Sequence, residues 1–258
     1  MKLKTLSTIT LGLILFTSCS DDSTSDQFMD QNPDAVARLI TNITVVSAQD
    51  TDENQNITVT YDDANRVTNV SDGIDTGLLT YQDGDLANVA SNGDNFAIEE
   101  LYESPYDAFE TGEVINYNND GNPVNLRFFE TEYDWETNSE ITTEYRAEIQ
   151  YDNKLNPYFY TVQAAGGIAV MDAVELNFSA NPDAPEIVQA RILFPSKNIK
   201  KIIYRDLDGN LLADVNLDFV YNSDDYPTSG SVTATEYDVD EGDTTSIYTL
   251  TYTYMAAN

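Results

Sequence analysis

The chain contains no histidine, and only one of its 258 residues is a cysteine. The lack of histidine excludes a Ser-His-Asp triad, a Cys-His pair and any imidazole metal ligand. A single cysteine cannot form a disulfide within the chain. Catalysis is left with carboxylate, tyrosine, lysine, serine and threonine chemistry, so a pair of carboxyl groups of the kind that glycosidases use stays open.

Basic residues are also scarce. Lys and Arg together number 12 against 45 Asp and Glu, and the formal net charge at pH 7 is −33. Proteins bind nucleic acid and anionic lipid headgroups through Lys and Arg. The composition therefore argues against a nucleic-acid partner and against electrostatic attachment to a membrane, and it favours solubility and repulsion between neighbouring copies.

The one cysteine, Cys19, ends a pattern typical of an export signal. Lys2 and Lys4 begin the chain, and residues 6–16 are mostly apolar. This run is shorter than the ~20 apolar residues that a bilayer-spanning helix needs. We therefore expect residues 1–18 to be a lipoprotein signal peptide that is removed.

The residues around the predicted cleavage point resemble the bacterial lipobox. Phe16-Thr17-Ser18-Cys19 places small residues directly before the cysteine. The resemblance implies cleavage before Cys19 and lipidation of its thiol, which would anchor the protein in the outer membrane. With Cys19 lipidated, attachment to the membrane should depend on acyl chains alone.

An acidic pair follows the cysteine. Ser20, Asp21 and Asp22 resemble the surface-export signal of Bacteroidota lipoproteins, which implies that the protein faces the outside of the cell. The alternative is an ordinary acidic linker. Polar composition of this kind is typical of disorder, and residues 19–31 are expected to be a disordered acidic tether.

The remaining residues, 32–258, are expected to form a single domain. Aromatic residues that end a strand are repeatedly followed by Asn, Asp and Gly, which favour tight turns. In the C-terminal segment Tyr248, Leu250, Tyr252 and Tyr254 alternate with threonines, as in a strand with one packed face. Copies of the turn pattern lie at residues 60–67, 80–86, 116–124, 150–157, 203–211 and 220–227.

These patterns predict an all-β fold. We expect an antiparallel meander of β-hairpins that forms a curled sheet or a barrel-like sandwich. Residues 41–46 have the character of a strand. At most one short N-terminal helix is expected, with Asn32 as its N-cap and Pro33 at the first helical position.

The turns and the tyrosine-rich strands resemble the YD-type repeats and β-meanders of Bacteroidota surface lipoproteins, including uncharacterised porin-like β families. Residues 199–210 and 219–228 carry this likeness best. The resemblance covers most of residues 55–255. It implies a curled, porin-like but soluble sheet and a surface location, and it carries over no catalytic residue.

The only tryptophan lies in an aromatic segment. If residues 128–136 form a strand, Phe129, Tyr133 and Trp135 project to one side. Aromatic rings beside carboxylates suit the apolar faces and hydroxyls of sugars, so these three residues are candidate ligand-binding residues. The alternative is that Trp135 fills the sheet core or closes the hairpin end.

Two charged clusters are weaker candidates. The basic residues Lys197, Lys200, Lys201 and Arg205 are a candidate docking patch, with an edge strand guarded by lysines or pairing with nearby acids as alternatives. No metal site or cofactor is expected beyond the covalent lipid. Opportunistic calcium binding has its candidate ligands in a hairpin tip, at Asp238, Asp240, Glu241 and Asp243.

The sequence therefore favours a surface-exposed outer-membrane lipoprotein that acts as a non-enzymatic binding or accessory subunit, with a glycan or an outer-membrane protein as its partner. A carboxylate-dependent glycoside hydrolase is an alternative, and it requires two carboxyl groups about 5–10 Å apart beside aromatic rings. A purely structural surface protein is a third reading.

Membrane attachment through Cys19 can be tested directly. Cys19→Ala should release the protein from membranes, because the acidic chain offers no electrostatic attachment and stable anchoring needs more than one acyl chain. The measurement is the distribution of the protein between the membrane pellet and the supernatant. Ser20→Ala, which keeps the cysteine, should stay in the pellet, and a Cys19→Ala protein that still sediments would contradict the lipid anchor.

Overall fold

The computed structural model describes residues 23–91, 94–97, 113–135, 137–173, 175–177, 187–189, 194–237 and 242–257. Three short helices are present in these ranges: α1 (Thr24–Gln31), α2 (Phe159–Ala164) and α3 (Gly167–Ala173), with a 3₁₀ turn at Thr51–Glu53. None of the described helices has the length and apolar character needed to cross a membrane.

Strands make up most of the described chain. In order they are β1 (Arg38–Ser47), β2 (Gln55–Tyr61), β3 (Val67–Ser71), β4 (Thr76–Gln82), β5 (Asp85–Ser91), β6 (Asp94–Ala97), β7 (Glu113–Tyr117), β8 (Pro123–Asp134), β9 (Ser139–Leu155), β10 (Glu175–Asn177), β11 (Ile187–Gln189), β12 (Lys197–Arg205), β13 (Leu211–Tyr221), β14 (Pro227–Glu236) and β15 (Thr244–Ala256). The strand predicted over residues 41–46 is part of β1.

Thirteen of these strands form one antiparallel sheet, in the order β6-β5-β4-β3-β2-β1-β15-β14-β13-β12-β9-β8-β7. Neighbours in the sheet are consecutive in sequence at every position but two. The first exception is the pairing of β1 with β15, which brings the two ends of the chain together. The second is the pairing of β9 with β12; the elements between them in sequence, α2, α3 and the β10–β11 pair, are not part of this sheet. The predicted all-β antiparallel meander is confirmed. Within the described ranges β6 and β7 are its edges, so the sheet is open.

The helices lie on the concave side of the sheet. The helix α2 contacts β1, and α3 contacts β5. Gly166, between the two helices, lies so close to β5 that a Cβ atom there would be 2.8 Å from the Cβ of Leu86. In the other half of the strand order, Leu155 of β9 packs in one buried cluster with Phe159 of α2 and Ile168 of α3. Because the same helices touch β5 and β9, the sheet must curl around them.

The N-terminal helix corrects two predictions. Residues 24–31, expected to belong to a disordered tether, form α1, which begins with a capping box between Ser23 and Asp26. Phe28 is 1% exposed and stacks on Phe159 at 3.6 Å between ring centroids. Burial of this aromatic ring outweighs the polar composition of the segment. The first part of the expected tether, residues 19–22, lies outside the described residues.

The predicted helix start at Asn32 is also wrong. Asn32 is the C-cap of α1, and its side-chain amide donates to the carbonyl oxygens of Phe28 and Ser196. The residues that follow lead into β1 instead of a helix. The expectation of at most one helix fails as well, because α2 and α3 lie between β9 and β12, where tertiary packing on the concave face stabilises them.

Four hairpin turns among the described residues share one geometry. In each five-residue turn, the side chain of the first residue accepts a hydrogen bond from the backbone N–H of the fifth, and the fourth residue has a positive φ angle. A β-bulge adjoins each turn, with its extra residue on the strand that follows. Asp and Asn at the first position and Asn, Gly or Asp at the fourth suit this conformation. The turns are Asp62–Arg66, Asn118–Asn122, Asp206–Asn210 and Asn222–Tyr226.

Antiparallel strands place their turns alternately at two ends of the sheet. The first, which we call the helical end, holds the helices and the turns β2–β3, β4–β5, β7–β8 and β13–β14. The second, the hairpin end, holds the turns β1–β2, β3–β4, β8–β9, β12–β13 and β14–β15. Helix α1 belongs to the helical end because Asn32 bonds to Ser196, next to the start of β12.

Tyrosine hydroxyls tie adjacent strands together near the helical end. Each donates a hydrogen bond to a backbone carbonyl close to the start of a neighbouring strand, over 2.6 to 2.8 Å. These rings also pack on the concave face, so each one combines apolar burial with a satisfied hydroxyl. The four pairs are Tyr61–Ile40, Tyr81–Val67, Tyr151–Pro123 and Tyr254–Pro227.

The buried tyrosines predict unfolding at alkaline pH. Burial raises the pKa of Tyr226 and Tyr252, which are 0% and 5% exposed, above the ordinary value of 10.0. Above pH 10 the unfolded chain therefore loses protons that the folded chain keeps. Stability is fully present below pH 10 and falls as the pH rises from there towards the folded-state pKa values.

Each fully buried phenol should lower the free energy of unfolding by up to about 1.4 kcal/mol per pH unit in that range. The measurement is phenolate absorbance and circular dichroism followed together during a titration from pH 8 upward. We expect part of the phenolate signal to appear only as the β-sheet signal is lost. Reversible ionisation of all 17 tyrosines near pH 10 with the fold intact would contradict this account.

Candidate functional site

An exposed aromatic pair lies at the hairpin end. Tyr133 is near the end of β8, and Trp135 follows in the turn to β9. The Trp135 side chain is 85% exposed and that of Tyr133 is 42% exposed. The two rings meet edge to face, with their centroids 4.6 Å apart. The structure thus brings together two of the three predicted ligand-binding residues and presents both to solvent.

The β8–β9 hairpin holds this pair in place. Tyr133 lies opposite Glu140, and Asp134 lies opposite Ser139, so the strands pair up to the turn itself. Asn138 has a φ of 53°, a left-handed conformation that Asn tolerates better than most residues. The hydroxyls of Thr137 and Ser139 lie 2.8 Å apart across the turn. Trp135 therefore lies just beyond the last paired residues of the two strands, with its ring exposed.

The remaining aromatic candidate, Phe129, lies in β8 opposite Glu144 of β9. The placement of its side chain lies outside the described part of the structure. The alternative that Trp135 fills the sheet core is wrong, because its ring is almost completely exposed. The large buried side chains of the core are instead Tyr226, Phe28 and Phe159.

The predicted basic patch is mostly used within the protein. The Lys197 ammonium donates to the carbonyl of Gln31 and to Oδ1 of Asn32 in α1, at 2.7 and 2.9 Å. Lys201 pairs with Asp214 at 3.1 Å. The Lys201–Asp214 pair is the pairing with a nearby acid that was one of the two alternatives to a docking patch.

The two other members of the basic patch differ in their surroundings. Arg205 donates to the carbonyl of Gly209, and Lys200 is exposed. The edge-strand alternative is wrong, because β12 lies between β9 and β13. A docking role for the four residues together stays a prediction.

Two other sets of predicted residues fall largely outside the described residues. Cys19 and the Ser20, Asp21 and Asp22 export signal precede residue 23, and Asp238, Asp240 and Glu241 lie in the gap between residues 237 and 242. Asp243 is described and exposed. Within the described ranges, no group of three or more Asp, Glu, His or Cys side chains is placed to hold a metal ion.

Many of the acidic side chains serve the turns. The pKa of Asp62 is lowered because its carboxylate accepts hydrogen bonds from the backbone and side chain of Arg66. The pKa of Asp206 is lowered by the side-chain amide of Asn210. These carboxylates stabilise their own hairpins, so the segment Asp206–Asn210 is a turn, as the pattern at residues 203–211 predicted.

Sequence reasoning missed a second feature, an apolar cavity of about 430 Å³ on the concave face. Its wall includes Leu250 and Tyr252 of β15, two residues of the alternating C-terminal pattern. That pattern correctly indicated a face turned towards apolar neighbours. It carried no signal that a space would remain between this face and the start of α2.

Comparison with known proteins finds structural similarity of a low degree. No protein-family model and no curated protein matches the sequence. Among solved structures, a porin-like protein from Bacteroides uniformis is similar with a TM-score of 0.37 and 10% identity, over 84% of this chain and 98% of that one. A porin-like protein from Bacteroides vulgatus gives a TM-score of 0.39 and 12% identity, over 85% of this chain and 99% of that one. Similarity of this degree carries no argument about function.

The exposure of Trp135 can be measured by fluorescence, since it is the only tryptophan. We expect emission at the wavelength of N-acetyltryptophanamide in water, acrylamide quenching near that of the free compound, and little change of emission wavelength on unfolding. A Trp135→Phe, Phe219→Trp double variant supplies a half-buried reference on the concave face and should emit at shorter wavelength. Shielded, blue-shifted emission from the unmodified chain would contradict the exposed position.

Proposed function

We propose that the protein is a surface-exposed outer-membrane lipoprotein, anchored through Cys19, that binds glycans without converting them. The observation that carries the proposal is the exposed edge-to-face pair of Trp135 and Tyr133. An indole left in water at a hairpin tip costs hydration free energy that burial elsewhere would recover. A stacking surface for the apolar face of a sugar ring accounts for its position.

The position of α1 supports an orientation for the anchored protein. Helix α1 starts at Thr24, five residues after Cys19, and it is packed at the helical end. Five residues reach at most about 18 Å. An acyl anchor on Cys19 therefore holds the helical end near the membrane, and the hairpin end with Trp135 faces away from it.

The charge of the chain supports the choice of ligand class. A net charge of −33 repels nucleic acid, anionic lipid and other polyanions. Neutral glycans meet no such repulsion, and carboxylates accept hydrogen bonds from sugar hydroxyls. A glycosidase needs a carboxylic acid and a second carboxyl group at a defined separation. The proposal names no such pair of residues and assigns no catalytic step.

An outer-membrane protein partner is a second candidate, and a specific observation favours it. Two more hairpin tips of the same end carry exposed apolar side chains, Ile74 at 89% and Leu207 at 60% exposure. Such residues form the anchors of protein interfaces when they fit pockets on a partner. A stoichiometric outer-membrane protein recovered with the intact lipoprotein from mild-detergent extracts supports this candidate. A purely structural role is less well supported, because the sheet is curled and carries exposed aromatic rings.

Glycan binding is tested by affinity electrophoresis. The protein used is residues 19–258 with the substitution Cys19→Ser, and this protein keeps every described residue. Native gels containing yeast mannan, xylan or galactomannan should retard the protein in at least one case. Trp135→Ala should weaken that binding by about tenfold or more, as loss of a central aromatic contact does. The control Leu207→Ala removes an exposed apolar side chain from another tip of the same end and should be retarded like the parent.

Equal retardation of Trp135→Ala and the parent would place binding elsewhere and overturn the assignment of the site. Free migration of the parent in all three gels would overturn the glycan proposal and leave the outer-membrane partner as the better candidate. Circular dichroism of each variant checks that the sheet is unchanged.

A further inference from the structure

The cavity on the concave face is separate from the aromatic pair at the hairpin end. It lies between strands β12, β13 and β15 on one side and the segment before α2 on the other. Its volume, about 430 Å³, is within the range of sites that hold small ligands. The lining residues are Asn156, Tyr158, Phe194, Pro195, Lys197, Asn198, Ile199, Ile202, Val215, Leu217, Phe219, Leu250 and Tyr252.

The strands build an apolar wall by simple alternation. Val215, Leu217 and Phe219 are every second residue of β13 and all line the cavity. Ile202 of β12 pairs with Val215 and continues the wall on one side. Leu250 of β15 continues it on the other side.

A glycine keeps this wall open. Gly230 of β14 lies opposite Phe219 of β13, and a Cβ atom at Gly230 would come within 2.3 Å of the Phe219 ring. The ring therefore occupies the space that a side chain on β14 would fill. Any larger residue at position 230 would drive the ring from its place in the wall, so the shape of the cavity depends on this pairing of small and large residues.

The polar groups at the cavity are few, and most are already bonded. The Lys197 ammonium donates to Gln31 and Asn32, and the Asn198 amide donates to the Tyr221 hydroxyl. The hydroxyls of Tyr158 and Tyr252 lie 3.0 Å apart. Burial raises the pKa of both phenols, so both stay neutral at physiological pH. Tyr158 is 40% exposed and Tyr252 is 5% exposed, and both residues line the cavity.

We infer that this cavity binds a neutral lipophilic small molecule whose single hydroxyl or carbonyl group bonds to the Tyr158–Tyr252 pair. The aliphatic and aromatic wall favours an apolar body. One hydroxyl pair, with one shared hydrogen bond, has donor and acceptor capacity for one polar group. The strong negative charge of the chain disfavours an anionic ligand. The inference does not depend on glycan binding, since the two sites share no residue.

The experiment uses residues 19–258 with Cys19→Ser and the neutral fluorescent probe N-phenyl-1-naphthylamine. The probe should gain fluorescence on binding with a saturable, one-site titration. Val215→Phe fills the cavity from β13 and should weaken probe binding by about tenfold or more. Val220→Phe is the matched control, because Val220 lies on the same strand but is 62% exposed and is no part of the cavity lining. It should bind the probe like the parent.

The inference would be overturned if Val215→Phe bound the probe as well as Val220→Phe and the parent do. It would also be overturned if the parent showed no saturable binding. Thermal unfolding monitored by circular dichroism establishes that each variant is folded. If Val215→Phe does not fold, Leu217→Phe fills the cavity with a smaller change in volume, and the same loss is expected of it.

The polar part of the inference is tested by competition. 1-Decanol should displace the probe from the parent, and Tyr158→Phe, which keeps the ring and removes the hydroxyl, should weaken that competition by about fivefold, as loss of one hydrogen bond does. Decane, which has no polar group, should compete equally against both proteins. An unchanged effect of 1-decanol on Tyr158→Phe would contradict the role of the hydroxyl pair.

Discussion

The hydrogen bond from a tyrosine hydroxyl to the backbone of an adjacent strand is the interaction on which the rest of this structure depends. Tyr61, Tyr81, Tyr151 and Tyr254 each make one near the helical end, where β-bulges interrupt regular strand pairing. Each such bond contributes about 1 kcal/mol net, and the attached ring adds apolar burial. Together they hold a curled sheet around helices that are too short to be stable alone.

This arrangement gives the molecule two different ends. At the helical end the rings of Phe28 and Phe159 stack, and Tyr226 is fully buried beside them. At the hairpin end the turns extend beyond the packed layers, and apolar side chains such as Trp135 are left in water. The cavity lies on the concave face, between β12, β13 and β15 and the segment before α2. The two proposed binding sites therefore lie in different parts of the sheet, the aromatic pair at the hairpin end and the cavity on the concave face.

The large number of acidic residues has a structural explanation as well as an electrostatic one. Asp62, Asp72 and Asp206 each accept hydrogen bonds from their own turn, and the pKa of each is lowered. Their contribution to stability is present above the ordinary pKa of an aspartate and is lost as the pH falls through the lowered value. These carboxylates therefore have a role within their own hairpins.

The sequence by itself determined the elements whose cause is local. The Asx and glycine turns follow from side-chain hydrogen bonding and positive φ angles within five residues, and the β15 strand follows from alternation. Tertiary structure alone decided the rest. Helix α1 forms because Phe28 meets Phe159 from a distant part of the chain, a contact that composition does not encode. Trp135 is exposed in the turn beyond the paired residues of β8 and β9, and the shape of the cavity depends on the pairing of Gly230 with Phe219 across strands. Contacts between segments that are far apart in sequence leave no local sequence pattern from which they could be predicted.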